Sequence, residues 1–583
     1  MDNPERVTYF AATDNRGKRT PFGIKSNDRG RHMYVIGKTG MGKSTMLVNM
    51  AIQDIQNGEG MAFIDPHGSA VEELLDFVPE HRIKDVVYFA PFDLEHPMAF
   101  NIMEDVGYDK RHLVTSGLMA TFKKIWEDAW SARMEYILTN TLLALLEYPD
   151  ATLLGVNRMY TDKAYRAKVV DNVKDPVVKD FWTKEFAGYT DRFTQEATPA
   201  IQNKIGQFTS NPLIRNIIGQ PHSSFDIRDL MDKRKILLIN LSKGLVGDVN
   251  MRLLGSMLTT RIFLGAMSRA NLAPDELKKT AKFYLYVDEF QNFANDTFAE
   301  ILSEARKYNL NLIIAHQYVE QMEEEVRAAV FGNVGTTVAF RVGPFDAELL
   351  ETVFSPEFLK EDLVNLGFAQ VYMTLMIDGI GSRPFSAITI PPIEQPARSF
   401  KKEVIGASRA QFGTARAGVE ELIYSELMPP TPPAAPAKKE SAPSAAQAYA
   451  TRPRTASADT TEKPRAPRTD APRRDAPSRD KPRSEAPERT RPAPPKEKTA
   501  DDLKAILRST LAKAEGDKKA QTDKKDTGLK EALGAMVQKS EASSRAPEQR
   551  SQAQPPTRKP DGARTPEPFE IPEETLRSIF KDV

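Results

Sequence analysis

The chain has 583 residues, room for about three or four domains, and its 80 Lys+Arg balance its 80 Asp+Glu, so net charge selects no partner. It has no cysteine, which excludes a disulfide framework and a thiolate metal site and suits a reducing cytoplasm. There is no apolar run of about 18 residues, and MDNPERVTYF lacks the basic and apolar regions of a signal peptide, so neither a membrane span nor export is expected.

The first chemistry-bearing stretch is YVIGKTGMGKST (34–45). A predicted strand, MYVIG, leads into it. A helical pattern, STMLVNMAIQDI, leads out, with Met46, Leu47, Met50 and Ala51 on one side. Gly37, Gly42, Lys43 and Ser44 fit the G-x-x-x-x-G-K-[ST] phosphate loop. Glycines let backbone amides turn inward, and the helix N-terminus adds its partial positive charge. The loop Gly37, Lys38, Thr39, Gly40, Met41, Gly42, Lys43, Ser44 and Thr45 is therefore expected to bind ATP. Lys43 is expected to reach the β- and γ-phosphates, and Ser44 to ligate Mg²⁺.

FIDPHG (63–68) ends a second predicted strand. Its Asp65 has two readings, an acid in the second coordination shell of the magnesium or the cap of a following helix. FYLYVDEF (283–290) is a buried-strand run ending in two acids. Asp288 is expected to hold Mg²⁺, and Glu289 to polarise the attacking water. An acid directly after the magnesium acid favours hydrolysis over transfer to another substrate. NLNLIIAHQ (309–317) is a further strand, with Gln317 at its carboxyl end as a sensor of the γ-phosphate and the water. His67 and His316 are read as structural, since phosphoryl transfer to water needs no imidazole. No N-K-x-D base-reading motif is present, which argues against a GTPase.

These stretches resemble the HerA/FtsK superfamily of ATPase motors, and most of all the TraG/TraD-like coupling ATPases of type IV secretion and conjugation. ILLINLSKG (236–244), YVDEFQNF (286–293), LSEARKYNLNLIIAHQ (302–317) and GNVGTTVAFRVGPFDAELL (332–350) carry the likeness beside the two motifs above. The resemblance implies an α/β RecA-like fold with a mostly parallel sheet, an inserted all-helical domain, and a hexameric ring that moves DNA. The expected organisation is an ATPase domain split over 1–103 and 231–395, a helical insertion at 104–230, a helical extension at 396–428 and a disordered tail at 429–583. A ring would supply a cation to the neighbouring γ-phosphate. Arg341, in FRVG, is the first candidate and Arg306, in EARKY, the second. Membrane coupling proteins of this kind begin with transmembrane helices, whereas here the phosphate loop starts at residue 37. The expected place of work is thus the cytoplasm, with recruitment to the membrane by secretion-channel or relaxase partners. Two other readings are a HerA-like translocase working with a nuclease, and an ATP-dependent assembly switch that never threads DNA.

Residues 431–583 hold 21 of the 41 prolines and 32 Lys+Arg against 24 Asp+Glu, leaving 48 basic and 56 acidic residues to the first 430. Such a composition buries too little apolar surface to offset the entropy of ordering. Three amphipathic stretches interrupt the tail, at 501–514, 529–540 and 572–583. They are expected to dock on partners.

Overall fold

The computed structural model describes residues 3–14, 18–104, 106–294 and 296–427, all within one compact unit. The tail and its three amphipathic stretches lie outside the described residues.

Thirteen strands occur among the described residues: β1 (Val7–Thr13), β2 (Pro21–Lys25), β3 (Met33–Ile36), β4 (Gly60–Asp65), β5 (Val86–Phe89), β6 (Ile236–Asn240), β7 (Phe283–Val287), β8 (Leu310–His316), β9 (Thr336–Ala339), β10 (Gln370–Thr374), β11 (Met376–Ile377), β12 (Ile380–Gly381) and β13 (Phe385–Thr389). All but β11 and β12 join one sheet in the order β2-β1-β13-β10-β9-β3-β8-β7-β4-β6-β5.

From β9 to β5 every neighbouring pair is parallel. Each of these strands is buried at every position, as runs such as MYVI, FYLYV and LNLIIAH require. A parallel sheet covered on both faces has no place for alternating polar residues. The expected α/β fold is therefore present, with β3, β8 and β7 side by side. On the far side of β9 the sheet turns antiparallel through β10, β13, β1 and β2, a wing the sequence did not announce. Antiparallel pairing brings the start of β10 and the end of β13 to the edge where β3 and β9 finish.

Between β5 and β6 the described residues form helices and loops without a strand, from Arg111–Ile125 to Ile227–Asp232. Helix starts follow local chemistry. Ser131 accepts the Met134 amide, Asp162 accepts those of Ala164 and Tyr165, and Asp175 accepts that of Val177 before Pro176. One apolar cluster runs from Phe89 and Ile239 of the sheet to Leu118, Ile137, Trp182 and Phe208 of these helices. Two more helices, Lys401–Phe412 and Arg416–Leu427, close the described chain. No described helix is long and apolar enough to cross a membrane.

A buried polar knot braces the centre. Arg29, in the turn before β3, bonds both oxygens of Asp54 at 2.7 and 2.8 Å and the Tyr286 hydroxyl at 2.7 Å. Tyr286 donates to Asp54 at 2.6 Å, and the guanidinium lies 3.6 Å from the centre of the Tyr284 ring. Every charge here has its partner, which is the condition for burying it.

Candidate active site

β3 is followed by a loop that winds into the helix Lys43–Gln56. Gly42 has φ 112°, a left-handed conformation that L side chains resist, and it lets the helix start abruptly from the loop. Gly37 answers a different need, because a Cβ there would come within 2.5 Å of the Phe340 Cβ. The loop is laced to both flanking strands. The Gly37 amide donates to the His316 carbonyl at 3.3 Å, and the Lys38 amide to the Arg341 carbonyl at 2.8 Å.

The Lys43 ammonium folds back into the loop, donating to the carbonyls of Gly37 at 2.6 Å and Lys38 at 3.3 Å. Burial lowers its pKa, opposed by the charges of Glu289 and Asp288. Ser44 Oγ donates to Asp288 Oδ2 at 2.8 Å. Asp288 is 2% exposed, at the carboxyl end of β7. Burial, foremost, and the nearby carboxylates of Glu289 and Asp65 push its pKa up, against the Ser44 hydrogen bond and the Lys43 charge. Such a buried acid, one hydrogen bond from a loop hydroxyl, is where a divalent cation relieves the most electrostatic cost.

Glu289 follows with φ 46° and ψ 51°, a strained left-handed backbone for a residue with a Cβ. The Gln291 amide donates to its carboxylate at 2.6 Å. Gln317, just past the end of β8, donates to the Thr39 hydroxyl of the loop and to Tyr318 Oη. Lys43, Ser44, Asp288, Glu289 and Gln317 thus converge at the carboxyl edge of three adjacent strands.

Asp65 has one oxygen on the His67 amide at 2.8 Å and the other on the amides of Ala70 and Val71 at 2.8 and 3.2 Å. It caps the helix Ser69–Leu74 and acts on Asp288 through its charge. Arg341 is half-buried beside the loop of its own chain, to which its carbonyl is bonded. Arg306 is exposed in the turn Ala305–Tyr308 before β8, at the opposite edge of the sheet. His316 is buried behind the loop, with Nδ1 3.2 Å from Tyr34 Oη, and burial lowers its pKa to about 3. It stands neutral there.

Sequence reasoning missed Asp346. This buried carboxylate accepts the Val319 amide at 2.8 Å, fixing the chain two residues after Gln317. The contact spans 27 positions, and only the D-A-E of the GNVGTTVAFRVGPFDAELL stretch hinted at it.

The chain is similar to the solved conjugative coupling protein TrwBdeltaN70 in its unbound monoclinic form, with 15% identity, 65% of this chain and 88% of that chain covered, and a TM-score of 0.48. It is similar to plasmid coupling protein TrwB in complex with ADP and Mg²⁺, with 13% identity, 68% and 98% coverage and a TM-score of 0.48. It is also similar to VirB4 of Thermoanaerobacter pseudethanolicus, with 14% identity, 69% and 99% coverage and a TM-score of 0.41. Comparison with curated proteins finds no match. The family model described as type IV secretion-system coupling protein DNA-binding domain matches residues 20–354, more than half of the sequence. The chain belongs to that family, among the TraG/TraD-like coupling ATPases of type IV secretion.

Proposed function

We propose that this protein is an ATP-hydrolysing motor that assembles as a ring and moves DNA toward a type IV secretion or conjugation channel. The observation that carries the hydrolytic part is the 2.8 Å hydrogen bond between Ser44 of the loop and the buried Asp288 of β7. It joins a phosphate cradle and a metal-binding acid that are 244 positions apart in sequence.

Ser44 and Asp288 would hold Mg²⁺. When bound, the ion would offset the negative charge of the phosphates during hydrolysis. The amides of 37–45 cradle the phosphates, and Lys43 leaves the carbonyls of Gly37 and Lys38 to meet them. Glu289 accepts a proton from the attacking water, held by Gln291. Gln317, tethered to Thr39, reports the γ-phosphate to the Tyr318 segment. Asp65 orders the neighbouring turn rather than touching the reacting atoms.

A cation supplied across a subunit interface must start away from its own subunit's phosphate loop. Exposed Arg306 meets that condition better than half-buried Arg341, whose carbonyl is bonded to the Lys38 amide of its own subunit's loop. Mixed assemblies test this. Lys43→Ala subunits combined with Arg306→Ala subunits should recover part of the ATPase activity, and Lys43→Ala combined with Arg341→Ala should not. The reverse pattern returns the role to Arg341.

Residues 104–230 form a helical domain inserted into the ATPase domain, and its packing against the sheet would carry nucleotide-driven movement to the DNA path. Membership of a DNA-binding-domain family supports DNA as cargo. Partners in the channel or a relaxase would bring the protein to the inner face of the membrane from the cytoplasm. The deciding experiment is ATPase assay of the full chain with and without single- and double-stranded DNA, beside the mass of the nucleotide-bound assembly. Stimulation by DNA in a ring supports the motor. A ring indifferent to both DNA forms favours the protein-assembly switch.

A further inference from the structure

The active-site residues define which way a nucleotide must lie. Ser44 Oγ and Asp288 fix the metal and terminal-phosphate end on the β8–β7 side of the loop. The loop amides cradle the α- and β-phosphates and the lysine reaches the β- and γ-phosphates, so with the terminal end toward β8 and β7 the nucleoside end is left to the other side of β3. Here that end faces β9 and the antiparallel wing.

The wing presents an exposed aromatic there. Phe368 is 71% exposed, in the loop that enters β10. The next residue, Ala369, is tied to the phosphate loop itself, its amide donating to the Met41 carbonyl at 3.3 Å. Ala369 also has φ 60°, so the backbone turns sharply right at this contact. Its carbonyl accepts the Thr389 amide at 2.9 Å, which anchors the turn to the end of β13. Thr389 Oγ1 in turn would lie 3.8 Å from a Cβ at Gly42. From Thr389 the chain continues over the helix Lys43–Gln56, where Asn49 Nδ2 donates to the Pro391 carbonyl at 2.9 Å and Asn49 Oδ1 accepts the Ile393 amide at 3.1 Å. These bonds hold the backbone next to Phe368 against the phosphate loop at Met41, and lay 390–393 along the first two turns of that helix. A large exposed ring held by a strained, doubly tethered turn is an expensive feature without an occupant.

We infer that Phe368 is the base-stacking residue of this site, taking the purine ring of the nucleotide whose phosphates lie on 37–45. The inference rests on the nucleotide-hydrolase reading above and adds the subsite that reads the other half of the molecule. Stacking recognises a π-face and not the hydrogen-bonding edge of the base. Phe368 therefore contributes affinity for adenine and guanine alike.

The test measures binding of ATP, GTP and inorganic tripolyphosphate, each with Mg²⁺, to the full chain and to Phe368→Ala and Phe368→Trp. Loss of one base stack should weaken ATP and GTP by about 5- to 100-fold in Phe368→Ala and leave tripolyphosphate unchanged. Phe368→Trp should keep ATP affinity, with its indole fluorescence quenched by ATP and not by tripolyphosphate. Equal weakening of all three ligands, or no weakening of any, overturns the stacking role. So does loss of subunit assembly with ATP affinity intact, which makes Phe368 a contact between copies. If the unaltered chain binds neither ATP nor tripolyphosphate, the hydrolase reading falls and the stack with it. Binding of tripolyphosphate with equal affinity for ATP in the unaltered chain removes the stack alone.

Discussion

The parallel part of the great sheet and its antiparallel wing obey different rules. In the parallel part, β3, β7 and β8 are buried throughout, and the groups aimed at phosphates stand just past their ends: the loop 37–45, Asp288 with Glu289, and Gln317. In the wing, β10 alternates between half-buried and buried positions and β13 is buried only at Ala387 and Thr389, and what the wing adds near the loop is apolar or backbone: Phe368 and Ala369 before β10, and Thr389 at the end of β13. One region concentrates charge that works on phosphates. The other offers shape. A nucleotide lying across both would have its reactive end governed by the first and its affinity raised by the second.

The largest expected effect separates the two regions by chemistry. Glu289→Gln should lower ATP turnover by about a hundred- to ten-thousand-fold while ATP still binds, because the general base is lost and the cradle is kept. Steady-state ATPase and equilibrium binding on the same preparation check it. Undiminished turnover would mean that water is activated elsewhere.

The wing should answer in stability instead. Phe10 of β1 is fully buried, its ring 5.9 Å from that of Phe22 in an edge-on contact. Phe10→Ala should cost about 3–5 kcal/mol of unfolding free energy. Turnover per folded subunit should not change. Denaturant titration paired with ATPase measurement tests both effects, and a catalytic defect without destabilisation would mean that the wing also takes part in turnover.

The smallest effect is a pH dependence that belongs to the parallel part. Burial lowers His32 to about 4 and His316 to about 3, from an ordinary 6.5. Both fold neutral and would have to accept a proton against burial. Their stability contribution is complete above the unfolded pKa and is lost as pH falls below it toward the folded values. Over the first pH unit below the unfolded pKa each should cost about 1 kcal/mol. Thermal unfolding across that window measures the slope, and His316→Gln should make it shallower. An unchanged slope would assign the acid sensitivity to other groups.

How much was legible follows from the range over which each signal acts. The loop, the paired acids and the terminal glutamine announce themselves because strand, turn and chemistry are neighbours in sequence. The buried runs of β3 and β7 were equally plain, since MYVI and FYLYV hold only apolar and aromatic residues. The wing was not. β10 pairs with β9 and β13, and β1 pairs with β13 some 378 positions away at Ala11 and Thr389, a partnership that no local pattern encodes. Asp346 was hidden for the same reason. Asp65 was visible with two readings left open, and its three backbone partners lie within six residues. The helix-cap role was therefore present in FIDPHG itself, a turn of two breakers followed by a helix.

The buried knot of Arg29, Asp54 and Tyr286 has a mechanical consequence. Asp54 belongs to the helix that carries Ser44, and Tyr286 to the strand that ends in Asp288. Ser44 and Asp54 are separated by ten residues, about 15 Å of helix, and each is fastened to the same strand. A rod pinned at two points can neither slide nor pivot against its neighbour. Whatever stroke the fuel delivers, this pair travels as one rigid piece, and the hinges must be sought in the joints around it.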